Sequence, residues 1–371
     1  MRQALAILND SLRALRSRSL FWMSLSISAV VAISLFGLIS FNADGWRILW
    51  FETHHSEIAR EGSFGARELM SWLFNGVFVF WWLSWGAIIL AVVSTASILP
   101  DFLAEGSIEI TLAKPITRLR LFFLKVLGAL LFVTVQTTIS VVLAYLLLGL
   151  KVDIWLHATL WAIPLIVAQF LYLYCVGALV AVMTRSSLAG LLTTLIFWVL
   201  VSLVQFSTNQ VESMVAQNRN MIAQLETQIA GIEDGAAEQG RELTTSEVSR
   251  LAGYRGRIEP FRQQLGWFEP YEWPLKIVEM VIPKTADVQK IIADLSNAPT
   301  FSQLLRGLGV GGSSFRPAQF DEEEWTAMQE AGIAGERAVR DVNTATSLAT
   351  SLAFAAVMLG IAGGLFCRRD F

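Results

Sequence analysis

The chain has 371 residues, of which 54% are hydrophobic and only 16% charged, with a net charge of −3. Soluble domains carry about 25% charged residues, so the composition excludes an ordinary soluble enzyme, a disordered chain and a basic nucleic-acid binder. With two cysteines, Cys175 in an apolar run and Cys367 near the end, it also excludes a disulfide scaffold. What remains is an integral membrane protein.

Residues 1–19 carry Arg2, Arg13, Arg16 and Arg18, and Leu5, Ile7, Leu8, Leu12 and Leu15 share one face. The spacing predicts an amphipathic helix on the inner membrane surface. The apolar run behind it is too long for a signal-peptide core and has no small-residue cleavage site. About 20 apolar residues span the hydrocarbon core as a helix, and six stretches reach that length: Leu20–Phe41, Leu73–Leu99, Val126–Leu150, Ile154–Thr184, Ser186–Phe206 and Val342–Cys367. Basic residues flank them at 2–18, 114–125, 185 and 368–369. The rule that short cytoplasmic loops are rich in Lys and Arg places these four segments, and both termini, inside.

The first outer loop, 42–72, holds Glu52, His54, His55 and Glu57. Imidazole and carboxylate bind Zn or Cu, which makes His54 and His55 candidate metal ligands. No H-E-x-x-H spacing or cysteine accompanies them, and a solvated interfacial segment explains them better.

The stretch Leu99–Lys125 reads LPDFLAEGSIEITLAKPITRLRLFFLK. Pro100 is expected to stop the second span and Asp101 to cap a short helix. Glu105-Gly106 marks a break, Pro115 a turn, and Arg118, Arg120 and Lys125 the inner interface. A short helix joined at both ends to spans suits the transfer of motion from a soluble motor; on composition alone a surface amphipathic loop is the more common case.

Further along, Gln169, Tyr172, Tyr174, Thr193 and Thr194 are polar positions inside spans. They either line a path or hydrogen-bond a neighbouring helix. Gly360 and Gly364, one turn apart, allow close helix packing. No ionisable residue lies deep in a span, which disfavours proton- or sodium-coupled transport. No catalytic constellation can be assembled from three histidines.

Residues 207–341 change character, and 207–344 carry a balance of −7, leaving +4 for the remainder. Val211, Met214, Asn218, Met221, Leu225, Gln228 and Ile232 follow 3–4 spacing, then Gly231–Gly240 is expected to break the helix. Thr244 and Glu247 form a capping-box pattern ahead of Val248, Leu251, Arg255, Ile258, Arg262 and Leu265. The spacing predicts a helical hairpin, or two helices packed on the rest of the domain. Pro260, Pro270, Pro274 and Pro283 are expected to forbid a long helix beyond it. Lys284–Leu295 reads as a short amphipathic helix, and Trp267, Phe268, Tyr271 and Trp273 as an interfacial aromatic belt.

The run Glu105-Gly106-Ser107-Ile108-Glu109, then Leu112-Ala113-Lys114-Pro115-Ile116-Thr117-Arg118 and Lys125, resembles the E-x-G-T-[LI]-E…LL-[AS]-x-P-[IV]-[ST]-R…K pattern of ABC-2 type transporter permeases. It is most similar to the branch serving copper-site maturation of nitrous oxide reductase. Glu105 directly preceding Gly106, Ser107 in place of Thr and Thr111 in place of Leu depart from the pattern. The resemblance implies an all-α membrane protein with six transmembrane helices of ABC-2 exporter type and a helical external domain between spans five and six. The domains are then a cytoplasmic amphipathic helix (1–19), spans one to five (20–206) with a cytoplasmic coupling helix at 99–118, an extracytoplasmic helical domain (207–341), and span six with its tail (342–371). In the coupling segment Asp101, Glu105, Gly106, Glu109, Pro115, Arg118 and Lys125 would meet an ABC ATPase subunit, Glu105 and Gly106 at the tip and Arg118 and Lys125 as anchors.

The sequence has no G-x-x-x-x-G-K-[ST] phosphate loop, so ATP and Mg are expected on that separate subunit and no cofactor or catalytic residue in this chain. The resemblance further implies a second permease copy, a bacterial inner membrane, and either substrate movement or mechanical work on an extracytoplasmic protein contacting 207–341.

Overall fold

The computed structural model describes residues 19–48, 54–55, 62–103, 117–153, 155–296 and 343–368. The chain divides into two compact units: one of Met1–Ser202, Val281–Pro299 and Asn343–Phe371, the other of Leu203–Met280 and Thr300–Val342.

Helix α1 (Ser19–Ala32) continues into a wide turn, Ile33–Gly37. The apolar helix therefore ends at Gly37, short of the Phe41 expected, because Ile39–Asn42 turns extended as β1. It pairs antiparallel with β2 (Gly45–Ile48) across a two-residue loop, and β2 pairs with β3 (His54–His55). The loop 42–72 is thus partly a small sheet with β2 at its centre.

Among the described residues, five helical stretches are long and apolar enough to cross a membrane: Gly65–Pro100, Arg118–Leu150, His157–Thr184, Ser187–Glu238 and Thr344–Arg368; Phe21–Gly37 is a shorter apolar helix. The first of the five begins earlier than Leu73. Ser63 accepts a hydrogen bond from the Ala66 amide at 3.1 Å and so caps α2 (Phe64–Trp72). From Leu73 to Ala87 the backbone then adopts the wider i→i+5 pattern, before returning to α3 (Ile88–Thr95).

The break that follows lies at Ala96–Ser97, not at Pro100. Pro100 and Asp101 both lie inside α4 (Ile98–Leu103). A proline in the first turn of a helix gives up an amide that has no partner there anyway. Asp101 is consequently within the helix rather than its cap.

Helix α5 (Arg118–Val152) joins the basic lead-in and the third apolar run in one piece, closed by Asp153 in a left-handed conformation. A 3-10 turn (His157–Trp161) leads into α6 (Ala162–Thr184). The core of this unit is aromatic: the Phe36, Phe74 and Phe78 rings lie 5.4–6.1 Å apart, and Trp85 stacks on Trp198 at 4.5 Å.

Close packing comes from glycines, as expected, but from others than Gly360 and Gly364. A Cβ at either of those meets nothing within 4 Å, whereas one at Gly363 would lie 2.9 Å from Leu119. Among the described residues, the closest glycine contact between two helices joins α6 to α7 (Ser187–Glu238). A Cβ at Gly177 would sit 2.2 Å from Thr194 Oγ1, and one at Gly190 2.9 Å from the Gly177 carbonyl. Small residues let two backbones approach this closely, which is how helices associate where lipid offers no hydrophobic drive.

In the second unit, α7 pairs with α8 (Thr245–Val281). Helix α7 runs unbroken through Gly231 and Gly235 and ends at Glu238, where Gly240 takes φ +59°. The Arg241 amide bonds the Ala236 carbonyl and the Gly240 amide the Ala237 carbonyl, a Schellman stop. Helix α8 starts on the expected capping box: Thr244 N donates to Glu247 Oε2 at 2.8 Å and Glu247 N to Thr244 Oγ1 at 3.4 Å.

The expectation that the prolines forbid a long helix is wrong. Pro260, Pro270 and Pro274 all lie within α8, and all face solvent. A helix tilts its solvent-side carbonyls outward most easily, so the clash of each ring with the preceding turn is relieved toward water.

The seam also differs from the expected one. On α7, Val215 is buried and Met214 exposed, with Asn218, Met221 and Leu225 buried. On α8, Leu251 and Ile258 are buried as expected, but Tyr254 and Phe261 pack beside them, while Val248 is 52% exposed. Arg255 and Arg262 flank this seam and pair across it with Glu233 and Glu226.

Helix α9 (Thr285–Leu295) returns to the first unit. It buries Val288, Ile291 and Ile292 against α6, the wide helix, the 3-10 turn and α10 (Thr344–Arg368). Its Asp287 accepts a 2.7 Å bond from Ser347 and faces Lys290 at 3.7 Å. Ser296 donates to Asn75 at 2.9 Å.

Candidate functional site: a polar seam at mid-span

The wide helix explains the position of this site. Its buried residues are Phe74, Phe78, Val79, Leu83, Ser84 and Ala87, and the step from Phe78 and Val79 to Leu83 and Ser84 is five positions, the reach of an i→i+5 turn. Where it reverts to α geometry, the Ile88 amide bonds back to the Trp85 carbonyl. The hydrogen-bond register changes across this turn, and two of its carbonyls are served from other helices. Gln136 of α5 donates to the Ala87 carbonyl at 3.3 Å, and Gln169 of α6 to the Ser84 carbonyl at 3.5 Å.

These side chains sit near the middle of their helices and are 0–1% exposed, as are Ser84 and Tyr172. Yet Ser84 Oγ, Gln136 Oε1, Gln169 Oε1 and the Tyr172 hydroxyl have no hydrogen-bond partner. A buried polar atom left unpaired costs about 1–3 kcal/mol. Widened helical turns concentrate at functional sites, and here the two glutamine ties bring Gln136 and Gln169 to the turn that carries Ser84, with Tyr172 three residues beyond Gln169 on α6 and Trp82 Nε1 a further buried, unpartnered atom of the wide helix. The sequence singled out Gln169 and Tyr172; it gave no reason to add Ser84 and Gln136, whose roles depend on the altered helical period.

Tyr174, also singled out, lies on another face of α6. It lines a cavity of about 10 Å³ with Gly177, Gly190 and Thr194, room for about one water. Thr194 bonds its own helix, at the Gly190 carbonyl.

Of the coupling residues, Glu105, Gly106, Glu109 and Pro115 lie outside the described residues, and for Asp101 only the backbone of α4 is described. What is described are the flanks. Helix α4 packs on α5 and α6, and Arg118 Nη1 reaches the Cys367 carbonyl at 3.5 Å, tying the start of α5 to the end of α10. Lys125 is about two turns further along α5. His54 and His55 form β3, extended beside Trp46 and Gly45, rather than lying on a helix; Glu52 and Glu57 lie outside the described residues. Among the described residues no group of three or more His, Cys, Asp or Glu comes together.

The aromatic residues of α8 are largely solvent-facing, with Trp267 and Trp273 72% and Tyr271 62% exposed. Pro260, Gln263, Gln264, Trp267 and Phe268 line an open groove of about 260 Å³.

No curated protein and no solved structure matches the chain. Residues 74–371 match the family model described as ABC-2 family transporter protein. That stretch takes in the seam, both flanks of the 104–116 segment and the hairpin, so the chain belongs to the ABC-2 family of membrane transporters.

Proposed function

We propose that the chain is the permease subunit of an ATP-driven ABC-2 complex, coupling ATP hydrolysis by a separate ATPase subunit to movement of a substrate across the membrane. The observation that carries this reading is the bracing of the 104–116 segment. Helix α4 before it is packed on two spans, and α5 after it is tied to α10 through Arg118. Displacement of such a segment is delivered to helices rather than absorbed by a linker.

In this reading the segment docks on the ATPase with Glu105 and Gly106 at its tip, Asp101, Glu109 and Pro115 shaping it, and Arg118 and Lys125 holding it at the interface. ATP and Mg belong to the ATPase. The shorter apolar helix Phe21–Gly37 supplies a sixth span, both termini face the cytoplasm of a bacterium, and two permease copies assemble with two ATPases. The 105–118 motif favours the copper-maturation branch of the family.

A second reading is supported by α7, one 52-residue helix that contains both a span-length apolar window and the first arm of the hairpin. Here the complex is a mechanical transmitter whose extracytoplasmic hairpin drives another protein, with nothing crossing the bilayer.

The test is a mild-detergent pull-down of the tagged chain from native membranes, comparing wild type with Glu105→Arg plus Gly106→Trp. An ATP-hydrolysing subunit captured by wild type and lost in the variant supports the permease reading. Wild type that captures no ATPase overturns both readings. Deleting 211–265 then separates them: retained transport-linked ATPase activity favours substrate movement, and uncoupled activity favours mechanics.

A further inference from the structure

We propose that Ser84, Gln136, Gln169 and Tyr172 form the polar wall of a binding site for the uncharged, hydrogen-bonding headgroup of an amphipathic molecule, shut in the conformation described here. The inference deepens the permease reading by naming its substrate class.

Three observations point this way. A purely structural tie to the Ser84 and Ala87 carbonyls needs one donor from each partner helix. Glutamine supplies that donor through Nε2 and leaves an acceptor behind, and both acceptors, Gln136 Oε1 and Gln169 Oε1, are buried without a partner. Ser84 Oγ and the Tyr172 hydroxyl are likewise buried with no bond made, Ser84 beneath the Gln169 tie and Tyr172 three residues beyond Gln169 on α6. Lipid cannot satisfy these atoms, because the residues are 0–1% exposed, so their partner must come from water or a ligand admitted when the helices part.

The chemistry of the wall sets the ligand class. It offers two amide acceptors and two hydroxyls that donate or accept. No Asp, Glu, Lys or Arg occupies the middle of any apolar span, so an ionic headgroup would enter a low-dielectric interior without a counter-charge. Leu83, Val133 and Leu173, adjacent or nearly so on the same helices, belong to the apolar core and suit the hydrocarbon part of an amphiphile.

The first arm of the test is thermal unfolding of the purified full chain. Ser84→Ala and Tyr172→Phe each delete an unpaired atom and keep every bond observed. The expected result is a higher Tm in both; an unchanged or lower Tm would mean that the hydroxyls already serve the fold, and would overturn the proposal.

The second arm uses native membranes with ATP and three photoreactive probes of equal chain length: a diazirine monoacylglycerol, an alkyl phosphate and an alkyl trimethylammonium. Crosslinks from the glycerol probe are expected on peptides carrying Ser84, Gln136 and Gln169, and to fall about tenfold in Gln136→Leu plus Gln169→Leu. Equal labelling by the charged probes, or labelling confined to the outward face of α7 around Ile196 and Leu200, overturns it. The ATPase pull-down is independent of both arms: a captured ATPase with no seam labelling leaves the permease reading standing without this site, and seam labelling with no ATPase does the reverse.

Discussion

Arg219 of α7 and Glu269 of α8 lie 2.8 Å apart, and the ion pairs beside them repeat seven residues along each helix in opposite directions. Glu212 meets Lys276, Glu226 meets Arg262 and Glu233 meets Arg255. One pair per heptad on an antiparallel seam defines a coiled-coil hairpin and its register. Each pair is largely exposed and contributes little alone. Arg219→Glu should destabilise the hairpin by about 0.5 kcal/mol, and Arg219→Glu with Glu269→Arg should recover most of the loss. Amide hydrogen exchange of residues 205–281 in the full chain checks both.

The apolar seam contributes more. Leu225→Ala and Ile258→Ala each remove buried side chains and should cost about 2–4 kcal/mol. Met214→Ala and Val248→Ala, at exposed positions of the alternative heptad, should cost less than about 0.5 kcal/mol. The same exchange measurement separates the two seams, and comparable losses at all four positions would refute the one described.

The hairpin has a defined pH response. Lys276 and Arg219 hold the Glu272 carboxyl below its ordinary range, chiefly through the hydrogen bond from Lys276. The bidentate Arg241 pair, with bonds from Thr244, lowers Glu247 further. Groups depressed on folding stabilise above their unfolded pKa, about 4.3 for glutamate, and that stabilisation is lost as pH falls through the folded value. Lys276 is raised, chiefly by Glu272, so its contribution is present below about 10.4 and lost as pH rises through its folded value. Exchange protection should therefore be flat from about pH 5 to 10, fall on the acid side at both the tip and the base of the hairpin, and fall on the alkaline side at the base alone. Glu247→Gln should abolish the acid-side change at the tip.

At the α6–α7 crossing, Gly177→Ala puts a methyl against Thr194 Oγ1 and should lower stability by about 1–3 kcal/mol. Adding Thr194→Ala removes the obstructing oxygen and should restore part of it. Gly364→Ala, with open space around it, should leave Tm within about 1 °C of wild type.

Long uncharged runs made the membrane character and most of the helices legible in the sequence, and Thr244 with Glu247 marked the start of α8 to the residue. Proline misled because its cost depends on which side of the helix it faces, and a sequence does not show that Pro260, Pro270 and Pro274 share the solvent side. The heptad was half legible: Asn218, Met221, Leu225, Leu251 and Ile258 were found, but choosing Val215 over Met214 needs the partner helix. The polar seam was legible only through Gln169 and Tyr172. Ser84 joins them because the helix carrying it winds with a period that 3.6-residue bookkeeping does not recognise.

The contact between Gly177 and Gly190 limits how α7 can move. With the Gly177 carbonyl so close to the Gly190 backbone, turning α7 about its own axis brings Ala189 or Leu191 into that carbonyl, since neighbouring side chains are set about 100° apart. Rolling is thereby opposed by backbone and scissoring only by the side chains of Thr194 and Ala181, so the crossing favours a swing of α7 over a twist.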